Sequence, residues 1–225
     1  MTAIEHFKFM DSPTDLDLND PHQLVMTTMG IKPELIFDDI FQTIQKANER
    51  MAELPLSVWK RAAYELDFNA SISDSETDKA MAKSMWLVVD YLQKQIALVR
   101  KFDVLDDPDL TDRLDSVTFI EKASDLDLDS SEQKTLTTQF EKQDVLVAKT
   151  KLAAYAFAVA AGAGEILRSI PIEVWQRGVY EINRIAPEGS SIQKSAELFW
   201  CHLDFIQKSV KHSYELLKKG LVKPV

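Results

Sequence analysis

Turn formers and cysteine are scarce in this chain. Six glycines and eight prolines serve 225 residues, which disfavours glycine-rich nucleotide-binding folds and many-turned β architectures. The single cysteine, Cys201, cannot form an internal disulfide, and residues 1–20 carry neither a basic start nor an apolar stretch of secretory length. The expectation is a reducing, cytoplasmic setting. The longest weakly polar run, Leu152 to Gly164, is about 13 residues, short of the ~20 that a membrane span needs, so no membrane partner is expected.

Positive charge is also in short supply. Lysine and arginine total 26 against 36 acidic residues, a net charge of −10, which argues against nucleic acid as a partner because phosphate binding needs cations. The deficit is concentrated between Asp103 and Glu132, where eleven acidic residues face only Arg113 and Lys122. Asp103, Asp106, Asp107, Asp109, Asp112 and Asp115 form a candidate acidic docking surface for a basic protein, beside the plainer reading of a solvated connector. The chain end reverses sign, with Lys208, Lys211, Lys218, Lys219 and Lys223 against Glu215.

Catalytic signatures are missing as well. Gly162-Ala163-Gly164 is followed by Leu167 where a dinucleotide turn needs its third glycine. Asp15, Asp17 and Asn19, like Asp125, Asp127 and Asp129, open like a calcium loop. The sixth positions are Asp20 and Ser130 and the twelfth are Met26 and Leu136, so glycine and the closing glutamate are absent. His6, His22, His202 and His212 show no metal-ligand spacing; His202 reads as a hydrogen-bonded core histidine and Cys201 as a buried thiol. No catalytic, cofactor or metal residue is assigned, and an enzyme is not the expectation.

What the chain has is a repetition. Pro55, Val58, Trp59, Arg61, Tyr64 and Glu65 recur as Pro171, Val174, Trp175, Arg177, Tyr180 and Glu181. Further on, Trp86, Asp90, Tyr91, Leu92, Gln93 and Lys94 are answered by Trp200, Asp204, Phe205, Ile206, Gln207 and Lys208. Upstream, Asp15-Leu16-Asp17-Leu18, Gln23, Thr27 and Thr28 are answered by Asp125-Leu126-Asp127-Leu128, Gln133, Thr137 and Thr138. A period near 110 residues is too long for a solenoid unit of roughly 20–50. The resulting division is a tail 1–14, a first helical copy 15–102, an acidic connector 103–124, a second copy 125–220 and a tail 221–225.

Apolar spacing makes both copies helical. In the first, Asp20-Pro21 opens a short helix that Gly30 and Pro33 interrupt, and Phe37, Ile40, Ile44, Ala47, Met51 and Leu54 stripe the next, over 34–53. The second lacks the interruption, which predicts one helix over 131–168 with a stripe of small residues, Ala153, Ala156, Ala160, Ala163, Leu167 and Ile170. That stripe suits a close helix crossing near Ala160 to Gly164, with a homodimer contact as the alternative. Helices follow at Pro55 and Pro171, and closing helices over 78–102 and 191–219. Leu110, Leu114, Val117 and Ile120 predict a short amphipathic connector helix. The fold class is thus all-α, an internally duplicated helical bundle of two copies of about three main helices related by a pseudo-two-fold, plus short connector helices.

Helix geometry at about 100° per residue divides the recurring residues. Trp59 and Trp175 point inward, while Arg61 with Glu65, and Arg177 with Glu181, point away from them. The expected role of these charges is to latch helices, Arg61 to Asp90 and Arg177 to Asp204, with Trp86 and Trp200 packed on the arginine stems; Tyr64 and Tyr180 complete the set. The leading functional expectation is a non-enzymatic cytoplasmic interaction module, an adaptor, regulator or toxin-neutralising binder with an acidic surface. The alternative is a small-ligand sensor with its pocket between the copies.

Overall fold

The computed structural model describes residues 8–30, 33–102, 112, 114–141 and 146–222. Among these residues it holds eight α-helices, one 3-10 turn and no strand. The helices are α1 (Pro21–Thr28), α2 (Pro33–Met51), α3 (Leu56–Ser73), α4 (Glu76–Phe102), α5 (Ser131–Glu141), α6 (Leu146–Leu167), α7 (Ile172–Ile185) and α8 (Ser191–Lys218), with the 3-10 turn at Ala123–Asp125. The protein is all-α, and no helix among the described residues is long and apolar enough to cross a membrane.

Local chemistry sets most boundaries. Asp20 caps α1 by accepting from the His22 backbone N–H, with Pro21 at the first helical position. Ser130 Oγ accepts from Gln133 N at the start of α5, and Ser190 caps α8 through Gln193 N. Asp17 and Asp127 accept from the backbone N–H two residues on, at Asn19 and Asp129. These Asx turns give the aspartates of the two calcium-like openings a structural use.

Two boundaries differ from the sequence reading. The polar stretch 74–78 shrinks to two residues, because Asp74 takes a left-handed conformation at φ 49° and Ser75 Oγ caps the next helix through Asp78 N. Val117 to Ile120 are not helical. Their backbone is claimed by side chains instead: Arg100 donates to Val117 O, Lys60 to Thr118 O, and the Gln93 amide bonds both the N–H and the C=O of Ile120. Of the expected connector helix, Leu114 is helical and Leu110 lies outside the described residues. So do residues 142–145, and the single helix expected over 131–168 is described as its two flanks, α5 and α6.

Buried side chains from α2, α3, α4, α6, α7 and α8 form one cluster that includes Ile40, Ile44, Met51, Trp59, Val89, Ala156, Ala163, Trp175, Val179 and Leu203. On α6 the buried residues are Ala153, Ala156, Val159, Ala163 and Leu167, with Ala160 only partly covered. The small side chains let α2 lie against α6: a Cβ on Gly162 would stand 3.3 Å from Arg50 Nε. A tighter approach occurs at Gly178 of α7, where a Cβ would stand 2.4 Å from Ile40 Cδ1 and 3.3 Å from Ile36 Cγ2.

Gly178→Val puts a branched side chain into that contact. Overpacking of this kind costs roughly 1–3 kcal/mol, and urea unfolding should show a drop of that size with an unchanged m-value. Wild-type stability in the variant would mean that α7 and α2 are not held as close as described.

Candidate functional site

Trp59 and Trp175 are fully buried. A buried indole N–H needs an acceptor, and both find one at the end of the preceding helix. Trp59 Nε1 donates to Met51 O at 3.2 Å and Leu54 O at 3.1 Å, and Trp175 Nε1 donates to Leu167 O at 3.1 Å. Met51 and Leu167 end α2 and α6, so each indole satisfies a helix-terminal carbonyl that has no partner within its own helix. Trp86 and Trp200 are partly buried against the same core. Tyr64 stacks on Phe68 with ring centroids 6.3 Å apart, and Tyr180 is half-buried.

The recurring arginines make different contacts from those expected. Arg61 Nε donates to Glu65 Oε1 at 2.8 Å and its NH1 to Thr137 Oγ1 of α5 at 3.0 Å. Arg177 Nε donates to Glu181 Oε1 at 2.9 Å and its NH1 to Thr27 Oγ1 of α1 at 2.9 Å. The aspartates meet lysines instead: Lys94 bonds Asp90 at 2.7 Å and lies 3.5 Å from Asp204, while Lys208 bonds Asp204 at 2.6 Å. The expected latches Arg61–Asp90 and Arg177–Asp204 do not form. Each guanidinium is held by its own helix's glutamate one turn on, which aims it at a short helix from the other part of the chain.

The same crossing recurs at neighbouring positions. Gln133 of α5 donates to Ser57 O of α3, and Gln23 of α1 donates to Glu173 O of α7, both at 3.1 Å. Gln207 of α8 donates to Met10 O and accepts from Met10 N, as Gln93 of α4 does with Ile120. Gln176 donates to Lys8 O where Lys60 donates to Thr118 O. Residues 8–28 precede α2–α4 in the chain yet dock on α7 and α8; residues 118–141 precede α6–α8 yet dock on α3 and α4. Side-chain-to-backbone bonds of this kind between distant segments were not legible, although Gln23, Gln133, Gln93 and Gln207 all belong to the repeated set.

Helices α4 and α8 run antiparallel, as their ion pairs show: Lys83 meets Glu215 at 2.9 Å and Lys101 meets Glu197 at 2.6 Å. Inside the seam Tyr91 stacks on Phe205, centroids 4.5 Å apart, and meets His202 edge-on at 5.1 Å. His202 Nδ1 lies 2.7 Å from Leu198 O, so it carries the proton and donates. Its Nε2 accepts from Gln95 Nε2 at 3.0 Å, Gln95 Nε2 also donates to Tyr91 Oη at 2.7 Å, and Tyr91 donates to Asn48 Oδ1 at 3.1 Å. Burial pushes the His202 pKa down to about 4 and the Cys201 thiol up to about 12; Cys201 stays a thiol rather than a nucleophilic thiolate.

One cavity adjoins this network. It measures about 310 Å³ and is lined by Met51, Leu56, Trp59, Leu92, Ile96 and Val99, with the Asn48 and Gln95 amides as polar lining. It lies among α2, α3 and α4, with Leu114 also in its lining, whereas the seam between α4 and α8 is filled by the Tyr91, Phe205 and His202 rings. No group of three His, Cys, Asp or Glu side chains converges among the described residues.

On α6, Ala154, Tyr155, Phe157, Ala158 and Ala161 are exposed, and no charged residue occurs between Lys151 and Glu165. At the matched positions α2 exposes Asp38, Asp39, Phe41, Gln42 and Gln45. Of the acidic docking residues, Asp103, Asp106, Asp107 and Asp109 lie outside the described residues; Asp112 is exposed, and Asp115 stands 3.7 Å from Arg100 Nε. No protein-family model, curated protein or solved structure matches the chain.

Two outcomes follow from this geometry. Gln207→Leu removes the bonds that hold Met10 and should raise amide hydrogen exchange over residues 8–20 while α3 and α4 keep their protection; uniform exchange throughout would deny the clamp its local role. For His202 the unfolded chain takes up a proton below the usual value of 6.5, the folded chain only near 4. Stability is thus whole above about pH 6.5 and falls by up to about 3 kcal/mol as pH drops toward 4. His202→Val, which installs the residue found at the matched position Val88, should flatten that part of the curve in urea unfolding; an unchanged slope would place the titration elsewhere.

Proposed function

We propose that the chain is an internal duplication, its two sets of four helices related by a pseudo-two-fold, and that it serves as a non-enzymatic cytoplasmic protein-interaction module. The duplication is supported by contacts that come in pairs at matched positions: the two indoles on helix-end carbonyls, the two Arg–Glu–Thr triplets, and the two glutamine clamps on Met10 and Ile120. Among the described residues, the side-chain bonds that fasten residues 8–28 run to α7 and α8, and those that fasten residues 118–141 run to α3 and α4. Such exchange is what a dimer with swapped segments would leave behind once its two chains were joined.

One observation carries the interaction reading. Matched outward faces of the two copies have opposite character: charged and amide-bearing on α2, free of charge on α6 between Lys151 and Glu165. The buried faces of both helices serve the same core, so packing does not require the outer difference. An exposed helix face of Ala, Tyr and Phe favours burial against another protein. A second copy of this chain would bring another net charge of −10 to the contact, whereas a basic partner is attracted over longer range. The partner is therefore a basic protein that presents an apolar segment to α6, with the acidic segment from Asp103 to Asp115 available to steer it.

A photo-crosslinking amino acid at position 158 in native cells tests this directly. The expected product is a basic protein whose purified form binds the full chain, at least tenfold more weakly to Ala158→Glu and more weakly as salt rises. A crosslink to a second copy, no crosslink at all, or unchanged binding by Ala158→Glu would each overturn the reading.

A further inference from the structure

The cavity among α2, α3 and α4 has no counterpart in the argument for protein binding, and its chemistry is unlike that of a packing gap. We infer that it is a binding site for a small neutral amphiphile with an apolar chain and one carboxamide-like end. Its volume, about 310 Å³, falls at the lower end of the ~300–1,000 Å³ of small-molecule sites. Nearly all of its lining is aliphatic or aromatic carbon from side chains such as Leu92, Ile96 and Val99.

Polar selectivity comes from the network behind it. The two Gln95 amide hydrogens are shared among His202 Nε2, Tyr91 Oη and Asn48 Oδ1, and Asn48 Oδ1 also accepts from Tyr91. That sequence of donors leaves Gln95 Oε1, an acceptor, and Asn48 Nδ2, a donor, without a hydrogen bond among the described residues. Both residues line the cavity. One free acceptor beside one free donor matches a carboxamide, which offers the reverse pair. The Trp59 N–H is already spent on Met51 O and Leu54 O, so it imposes no further demand. No charged side chain lines the cavity among the described residues, and an ion entering it would lose its hydration without a counter-charge. Carboxylates and ammonium ions of the same length are therefore rejected.

The test uses the full chain with octanamide, octanoate and octylammonium as probes. Octanamide well above its Kd should raise Tm by about 3 °C and shift the side-chain amide resonances of Asn48 and Gln95 in a proton–nitrogen spectrum. The two ionic probes should do neither. Ala52 lines the cavity and is exposed, so Ala52→Trp closes the mouth without entering the core and should abolish the octanamide response. Unmoved Asn48 and Gln95 resonances, an equal response to octanoate, or a full response in a folded Ala52→Trp would overturn the inference. None of these outcomes bears on the α6 surface, so this site and the protein-binding reading stand or fall separately.

Discussion

The indole N–H of a fully buried tryptophan is the constraint around which the helices are arranged. Trp59 and Trp175 stand four residues after a proline that opens α3 or α7, and eight residues after the last residue of the helix before. Burial removes water as a partner for the N–H, and the end of a helix leaves carbonyls without donors. One hydrogen bond meets both needs and fixes the angle at which α2 turns into α3 and α6 into α7. The large carbon surface of the ring then anchors the shared core; truncation of a buried Trp typically costs about 3–5 kcal/mol. Every other contact, including the cavity wall that Trp59 forms, is placed relative to those two corners.

Once the corners are set, the short helices have one task, which is to cover what remains. Residues 8–28 and 118–141 carry few buried apolar residues, Met10, Met26 and Ala123 among them. They are fastened mainly by polar bonds from glutamine, arginine and lysine side chains. Glutamine suits this role because one amide both donates and accepts, and so holds the N–H and C=O of a single extended residue, as at Met10 and Ile120. Residues 8–28 dock on α7 and α8, and residues 118–141 dock on α3 and α4. The two parts of the chain are thereby interlocked rather than laid side by side.

On the duplicated reading, the differences between copies are as telling as the likenesses. Lys83 and Lys101 on α4 have Glu197 and Glu215 at the matched positions of α8, and the antiparallel seam brings each lysine to a glutamate. Pairing α4 with a second α4, or α8 with a second α8, would set like charges together. Exposed pairs such as these contribute little stability, but they discriminate against wrong partners. His202 replaces Val88, Ala and Gly replace bulky and charged residues along α6, and Asn48 stands where the second copy has Gly164. Those substitutions place the cavity in one half and the uncharged face in the other, with the buried polar network on the seam between α4 and α8.

Helical class, helix starts and the inward tryptophans were legible in the sequence because they depend on near neighbours: a proline, a cap, a 3.6-residue stripe. The Arg61–Glu65 and Arg177–Glu181 pairs were legible for the same reason, being one turn apart on one helix. What each pair then faces was not, since Thr137 and Thr27 are remote in the chain and the repeat placed them within their own copies. The connector helix failed at Val117 to Ile120 because its apolar spacing was real while its backbone groups were taken by side chains of α3 and α4. Periodicity and capping thus determined most of the secondary structure, which rests on short-range geometry, while the repetition was read from residues that recur about 110 positions apart. The tertiary structure alone decided where residues 8–28 and 118–141 dock, the neutral His202 network and the cavity with its unmatched amide groups, because hydrogen-bond partners in a buried interior are set by which distant segments water exclusion brings together.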